Sequence, residues 1–151
     1  MSATEKFTVR RADWARDQAV LQAIRREVFV VEQQVPEKEE WDGIDGDCLH
    51  VLALAANGMP IGTGRLLPDG HFVRIGRMAV LKPWRGCGAG SALLRELLAL
   101  ARKRGHAEAR LHAQTHALEF YRKHGFAPVG VEFMEAGIPH FEMRRVLTKP
   151  G

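Results

Sequence analysis

The feature that most constrains the fold is a glycine-rich segment at 85–91, which lies between an apolar run and a regular helical pattern. Gly86, Gly88 and Gly90 bring no side chains to the point where the helix begins, so several backbone N–H groups can approach one anion there. The dipole of the following helix favours the negative charge of such a ligand. The segment therefore predicts a strand that leads into a helix, with a phosphate-binding turn between them.

Two common phosphate-binding motifs do not fit this segment. A P-loop requires Gly, four residues and then Gly-Lys-Ser/Thr, but no lysine occupies positions 89–91. A dinucleotide-binding fingerprint requires a glycine at the position of Ser91. Nucleotide hydrolysis and dinucleotide binding are therefore disfavoured, and a tight strand-to-helix turn without a ligand is the alternative interpretation of the glycines.

The residues on either side of this segment predict a helix and a group of antiparallel strands. After it, a broad apolar face recurs with helical period until Gly105 ends the helix. That face consists of Leu93, Leu94, Leu97, Leu98 and Ala101. Before it, three apolar runs are separated by the turn sequences Asn57-Gly58 and Pro68-Asp69-Gly70. They predict strands at 48–56, 60–67 and 72–81.

The N-terminal part of the chain predicts one strand, at 7–10, followed by one helix. Asp13 can cap that helix, and its apolar positions recur at steps of three and four residues on one buried face. They are Leu21, Ile24, Val28 and Val31. Pro36 stops the helix, and the acidic stretch that follows is expected to be a loop with one short helical turn.

The C-terminal part predicts a strand at 109–113, a short helix at 117–124, and strands at 126–134 and 140–147. The helix that precedes 109–113 acts as a right-handed crossover, which makes that strand parallel to the one before the crossover and the sheet mixed. We therefore expect a single domain over residues 1–151 with an α/β (α+β) fold. Helices flank a mixed central sheet in the order β-α-(α)-β-β-β-α-β-α-β-β.

Length and composition are those of a folded cytoplasmic protein. A chain of 151 residues can bury its own core without metal or disulfides. No apolar run is long enough to span a bilayer, and residues 1–10 lack the apolar core of a signal peptide. The two cysteines, Cys48 and Cys87, form no CxxC pair, so both are expected to be reduced. We expect no metal and no membrane association.

Charge is unevenly distributed along the chain, which has a formal net charge of +4. Positions 32–47 hold seven acidic residues and one lysine, so the remainder is strongly basic. One acidic face on a basic protein suits two ligands of opposite charge, an anionic cofactor and a cationic substrate. A solvated acidic loop is the alternative interpretation. Nucleic-acid binding is disfavoured, because neither a basic stripe nor aromatic stacking motifs accompany the charge.

Two motifs at matching spacing carry a family resemblance. Positions 85–90 form R-x-x-G-x-G directly after a predicted strand, and A-x-x-F-Y-x-K-x-G-F begins at Ala117, about one strand later. Together they resemble the GNAT superfamily, the GCN5-related N-acetyltransferases, and the resemblance covers about residues 9–147. The stretches VFVVEQ at 28–33 and GIPH at 137–140 are similar to its ElaA-like and YjcF-like branch.

The resemblance implies acetyl-CoA as the co-substrate, with its pyrophosphate bound at 85–91. The backbone of 78–80 would pair with the pantetheine arm as an added strand. Gln114 stands where many relatives place an asparagine that contacts the cofactor, and Tyr121 stands at the general-acid position. The implied cofactor-binding residues are therefore Met78, Ala79, Val80, Arg85, Gly86, Cys87, Gly88, Ala89, Gly90, Ser91, Gln114 and Tyr121.

The implied reaction is direct acyl transfer, in which a neutral amine attacks the thioester. Backbone N–H groups near Val80 would stabilise the oxyanion. Tyr121 would donate a proton to the departing thiolate, because a phenol stays protonated at neutral pH. Packing beside Phe120 is the alternative role for Tyr121.

The general base of this reaction is the least defined part of the implied site. Many relatives carry a carboxylate two residues before the position of Met78, where this chain has Gly76. Glu32 is the first candidate for a catalytic base, because it ends the first helix beside the acidic stretch. The other candidates are His112, His140 and water. The structural alternative for Glu32 is a salt bridge to an arginine such as Arg25.

Two functions are consistent with the sequence. The first is an acetyl-CoA-dependent N-acetyltransferase that acts on a primary amine, either a small cationic amine or an exposed amine of a peptide or protein. The second, the alternative, is a non-catalytic acyl-CoA-binding sensor or interaction module on the same fold, which the missing strand carboxylate leaves open. A monomer and a homodimer are the expected assemblies.

Overall fold

The computed structural model describes residues 6–147, which contain seven strands and four α-helices. The strands are β1 (Phe7–Ala12), β2 (Leu49–Ala55), β3 (Pro60–Asp69), β4 (Phe72–Val80), β5 (Glu108–Gln114), β6 (Ala127–Glu135) and β7 (Ile138–Val146). The helices are α1 (Trp14–Arg25), α2 (Glu37–Glu40), α3 (Ala89–Lys103) and α4 (Leu118–Lys123), and a π-helix at Arg26–Glu32 continues α1. None of the helices in this part of the chain is long and apolar enough to cross a membrane.

The strands form one mixed sheet in the order β1-β2-β3-β4-β5-β7-β6. β4 and β5 pair in parallel through 72–75 and 108–111, and the other neighbouring strands are antiparallel. α3 is the crossover that makes β4 and β5 parallel. The predicted α/β class and mixed sheet are confirmed, and each strand ends within two residues of its predicted bounds.

β4 and β5 stop pairing after Ile75 and Leu111, and a cleft opens between them. Beyond that point β4 has one residue more than β3, because Arg65 pairs with Gly76 while Thr63 pairs with Ala79. Such a bulge bends a strand and increases its twist. The backbone edge of β4 from 76 to 80 consequently lines the cleft instead of pairing with β5.

Two hydrophobic cores hold the sheet between α3 and α1. The predicted apolar face of α3, from Leu93 to Ala101, is almost fully buried against β2, β3 and β4. On the opposite face of the sheet, Leu21, Ile24 and Val28 pack with Leu52 and Ala79 in a smaller core. Burial of these faces is the main stabilisation of both layers, since it removes apolar area from water.

The second half of the first helix differs from the prediction. A single α-helix with Val31 on its buried face was expected, but residues 26–32 form a π-helix and Val31 is 58% exposed. In this segment Gln33 N–H donates to Val28 O at 3.1 Å, an i to i+5 bond that lengthens the turn. The longer turn brings Glu32 and Gln33, rather than Val31, to the side of Val28 and into the cleft.

Most acidic residues of the stretch 32–47 are paired with arginines. Arg25, which is 1% exposed, donates to Glu40 Oε2 at 2.8 Å and to Asp45 Oδ1 at 2.7 Å. Arg65 donates to the same Asp45 oxygen at 2.9 Å and also pairs with Asp42. Arg77 Nε lies 3.0 Å from Glu40 Oε2 and its Nη2 lies 3.2 Å from Asp42 Oδ2. We call these six residues the charge cluster: Arg25, Arg65, Arg77, Glu40, Asp42 and Asp45.

The charge cluster corrects the prediction of an acidic face for a cationic ligand. Its three arginines balance its three carboxylates, and two more acidic residues of the stretch pair with arginines outside it. Within residues 6–147, only Glu39 and Asp47 of the stretch have no salt-bridge partner. The structural alternative for Glu32, a salt bridge to an arginine, is confirmed, but the partner is Arg85 and not Arg25, which is held inside the cluster.

Asp45→Asn should lower the free energy of unfolding by about 3 kcal/mol, because the two buried guanidiniums that share its oxygen would lose their carboxylate. Urea unfolding followed by circular dichroism measures the change. The matched control is Asp47→Asn, an exposed position of the same stretch, which should change stability by less than about 0.5 kcal/mol. Equal unfolding midpoints in the two variants would show that the charge cluster does not stabilise the fold.

Candidate active site

A cleft of about 930 Å³ follows the line along which β4 and β5 diverge. The π-helix, the free edge of β4, the end of β5 and the turn between β6 and β7 form its walls. Many of the residues singled out from the sequence meet here, although they lie far apart in the chain. They are Glu32, Gly76, Met78, Ala79, Val80, Arg85, His112, Gln114, Tyr121 and His140.

The glycine turn, residues 86–91, connects Arg85 at the edge of the cleft to α3. Gly86 and Gly88 have φ of +82° and +93°, and a Cβ on either would face open space among the described residues. The backbone N–H of Ala92 donates to Gly88 O at 3.0 Å, which begins the helical pattern. The N–H groups before Ala92 at this helix end have no helical acceptor, so they are able to donate to an anion.

The free edge of β4 presents backbone rather than side chains to the cleft. Met78 and Val80 pack partly buried against the α3 core, and Ala79 is buried under α1. Val80 O accepts a hydrogen bond from Arg85 Nε at 2.9 Å, which anchors the arginine at the end of the strand. β4 therefore offers an extended edge that ends next to the glycine turn.

Arg85 and Glu32 form a bidentate ion pair across one end of the cleft. The two guanidinium nitrogens Nη1 and Nη2 donate to the two carboxylate oxygens at 2.6 and 2.7 Å. The hydrogen bonds from Arg85 lower the pKa of Glu32 and raise that of Arg85. Both side chains remain partly exposed, so a competing anion at the glycine turn could reach Arg85.

Tyr121 lies under the cleft with its ring packed between two phenylalanines. The ring centroids of Phe120 and Phe126 are 5.0 and 6.0 Å from its own, both edge to face. Burial raises the pKa of the Tyr121 phenol to about 12, so the hydroxyl stays protonated at neutral pH. Its hydroxyl has no hydrogen-bond partner among residues 6–147, and the residue lines the cleft.

Gln114 forms a bridge across the cleft that the sequence analysis did not foresee. Its Nε2 donates to Gln33 Oε1 at 2.9 Å, and its own Oε1 lies 2.7 Å from His116 Nε2. Gln33 directly follows the π-helix and lies 81 residues away in the chain. Only the altered helical winding turns Gln33 toward β5, so no local sequence signal identified it.

His112 and His140 lie on either side of the carboxylate of Glu135. His112 Nδ1 is 2.9 Å from Glu135 Oε1, and His140 Nε2 is 3.7 Å from Glu135 Oε2. The contact with Glu135 raises the pKa of His112. His112 is exposed to the cleft, whereas His140 is buried and its Nδ1 lies 2.7 Å from Ile138 O. The sequence did not indicate a role for Glu135, because only the pairing of β6 with β7 brings this residue to the end of β5.

The chain matches known proteins over most of its length. The family model described as an acetyltransferase (GNAT) domain matches residues 12–147. YjcF of Bacillus subtilis, named an uncharacterized N-acetyltransferase, is 37% identical over 123 residues, which are 81% of this chain and 87% of YjcF.

Two crystal structures extend this similarity to the fold. An acyl-CoA N-acyltransferase from Pseudomonas aeruginosa is 34% identical, with a TM-score of 0.81 over 93% of this chain and 99% of that one. Escherichia coli ElaA is 29% identical, with a TM-score of 0.79 and the same coverage. The chain therefore belongs to the GNAT superfamily, in the branch that contains YjcF and ElaA, and is an N-acetyltransferase.

Proposed function

We propose that the protein transfers an acetyl group from acetyl-CoA directly to a primary amine. The observation that carries this proposal is the free edge of β4, which runs along the cleft and ends beside the glycine turn. An extended arm with amide groups can pair with such an edge, and a phosphate at its end would meet the N-terminus of α3. The P. aeruginosa relative is described as an acyl-CoA N-acyltransferase, which supports an acyl-CoA donor.

The residues of the glycine turn fit a pyrophosphate. Positive φ and open space at Gly86 and Gly88 leave the backbone N–H groups accessible, and Arg85 adds a guanidinium that can bind phosphate oxygens in bidentate fashion. Gly90 lies closer to protein, since a Cβ there would be 3.5 Å from Phe120. The backbone of Met78, Ala79 and Val80 would hold the pantetheine arm.

Direct transfer requires no protein nucleophile, and neither cysteine is placed to act as one. Cys48 is buried, and burial raises the pKa of its thiol to about 11. Cys87 lies in the glycine turn, where its Sγ donates to Trp84 O at 2.9 Å. Neither cysteine lines the cleft. In the proposed reaction a C–N bond forms, the thioester C–S bond breaks, the amine proton passes to a general base, and the protonated Tyr121 hydroxyl stabilises the leaving thiolate by donating a hydrogen bond to it.

Of the candidate bases, Glu32 and His112 have side chains partly exposed at the cleft, whereas His140 is buried. Glu32 faces the cleft, but its ion pair with Arg85 must open before it can act, and its lowered pKa makes it a weak base. His112 also faces the cleft, and its pKa is raised. The raised value lies nearer to the pKa of an amine, so His112 is the stronger base of the two. We propose His112 as the base that the contacts favour, and Glu32 as the alternative.

The pH dependence of kcat/KM separates the two candidate bases. With His112 as the base, activity should rise as pH increases through the raised pKa of His112. Glu135→Gln removes the carboxylate that stabilises the protonated imidazole, so the acid limb should move to lower pH. Glu32→Gln should leave the limb in place. An acid limb in the carboxylate range that disappears in Glu32→Gln would assign the base to Glu32 instead.

The proposed function is tested by the release of free CoA thiol from acetyl-CoA with a panel of primary amines, with mass spectrometry of the acetylated products. Amine-dependent release supports acetyl transfer. Calorimetric binding of acetyl-CoA without turnover of any amine or peptide would favour the alternative, a non-catalytic acyl-CoA sensor.

A further inference from the structure

Three arginines lie side by side on the sheet face that opens into the cleft. Arg74 of β4 is directly opposite Arg110 of β5, and Arg110 is directly opposite Arg144 of β7. Their neighbours along the strands, such as Leu111 and Met143, are buried on the other face. We call Arg74, Arg110 and Arg144 the arginine row.

Each member of the arginine row uses the same atom for its carboxylate contact. Nε of Arg74 donates to Asp69, Nε of Arg110 to Glu108, and Nε of Arg144 to Glu142. Within residues 6–147, their terminal Nη groups have no side-chain acceptor, and the three side chains are 46%, 20% and 39% exposed. The ends of three guanidiniums are therefore able to donate to a further anion.

The row is held in place in spite of its like charges. Like charges directly opposite one another across strands destabilise a sheet. Here the ring of Phe72 supports two of them, with the guanidinium carbons of Arg110 and Arg74 at 3.8 and 5.1 Å from its centroid. Guanidiniums fixed in this way bind a carboxylate with little loss of side-chain freedom.

The row lies at the end of the cleft away from the glycine turn. Arg74 and Arg110 line the same cleft as Tyr121 and the β4 edge. From Arg74 to Met78 the strand covers about 13 Å at 3.3 Å per residue, and the long arginine side chains shorten that gap. A chain of several carbon atoms can connect an anion at the row to an amine near the β4 edge.

We propose that the arginine row binds a carboxylate of the acceptor, so that the protein acetylates amines that carry a carboxylate several atoms away, as lysine does. The inference rests on the proposed acetyl transfer and names its acceptor class. It also agrees with the charge cluster, because carboxylates already paired with arginines are less available to a purely cationic amine.

Two amines that differ only in the carboxylate test the proposal: Nα-acetyl-L-lysine and N-acetylcadaverine. The kcat/KM of the first should exceed that of the second by at least about tenfold, as expected for a hydrogen-bonded charge. Arg74→Gln with Arg110→Gln should reduce this ratio to near one. Arg104→Gln, an exposed position beyond α3, is the matched control and should keep the ratio. Equal kcat/KM for both amines in the parent protein would overturn the proposal.

A binding measurement on the parent protein keeps the proposal independent of turnover, and the variants serve only to assign the signals. The arginine Nε–Hε NMR signals of Arg74 and Arg110 are those that disappear in Arg74→Gln and Arg110→Gln. Nα-acetyl-L-lysine, added to the parent protein with CoA, should shift these signals. N-acetylcadaverine should not shift them. Unchanged signals with both amines would overturn the arginine row as a binding site. Failure of acetyl transfer together with a carboxylate-dependent shift would contradict the proposed function alone.

Discussion

Gly88→Glu should raise the dissociation constant of acetyl-CoA at least about 100-fold, because it places bulk and negative charge where the backbone N–H groups of the glycine turn would meet phosphate. A Cβ at Gly88 has no described atom within 4 Å, so a side chain can start there without a clash at its first atom. The positive φ of +93° adds strain of about 1–2 kcal/mol, which is small against the stability of a domain. Isothermal calorimetry measures the affinity, and circular dichroism the fold.

A second variant separates loss of the phosphate site from the strain of the substitution. Gly58, in the turn between β2 and β3, also has positive φ, at +87°, and open space around a Cβ. Gly58→Glu therefore adds the same charge and similar strain at a turn that does not line the cleft, and should bind acetyl-CoA as the parent protein does. If folded Gly88→Glu binds acetyl-CoA with parental affinity, the glycine turn is only a strand-to-helix connection.

Tyr121→Phe should lower kcat by about 10²- to 10⁴-fold, because it removes the one proton donor proposed for the thiolate. The aromatic ring and its edge-to-face contacts with Phe120 and Phe126 are kept, so the affinity for acetyl-CoA should change little. Steady-state kinetics and calorimetry together measure this division between kcat and binding.

Stability provides the control for the tyrosine variant. The hydroxyl of Tyr121 has no hydrogen-bond partner within residues 6–147, so its removal should leave the free energy of unfolding within about 0.5 kcal/mol of the parent. Because the pKa is about 12, no loss of activity from ionisation of Tyr121 is expected up to pH 10. An unchanged kcat in Tyr121→Phe would make Tyr121 a packing residue, and water the proton donor.

Much of the fold could be predicted because it depends on local patterns. Turn sequences such as Asn57-Gly58 separate the central strands, and the apolar period of α3 marks its buried face. The parallel pairing of β4 and β5 follows from the helical crossover between them, which α3 forms. The glycine turn was predictable for the same reason, since its glycines and its helix N-terminus are neighbours in the chain.

The candidate site was only partly predictable, because its side chains meet through strand register and helical winding. The π-helix moves Glu32 and Gln33 into the cleft, and the pairing of β6 with β7 brings Glu135 to His112. Neither effect leaves a periodic signal in the sequence, because both depend on residues that are distant in the chain.

The amino-acid sequence by itself determined the order of the strands and helices, the glycine turn and the family. These features come from short-range steric preferences and from the alternation of apolar and polar residues. Only the tertiary structure decided which charged side chains are paired and which lie side by side. Arginines from α1, β3 and β4 neutralise the acidic stretch, and strand register sets Arg74, Arg110 and Arg144 side by side. Coulomb interactions depend on distance in space, so a count of charges along the chain cannot show which of them are paired.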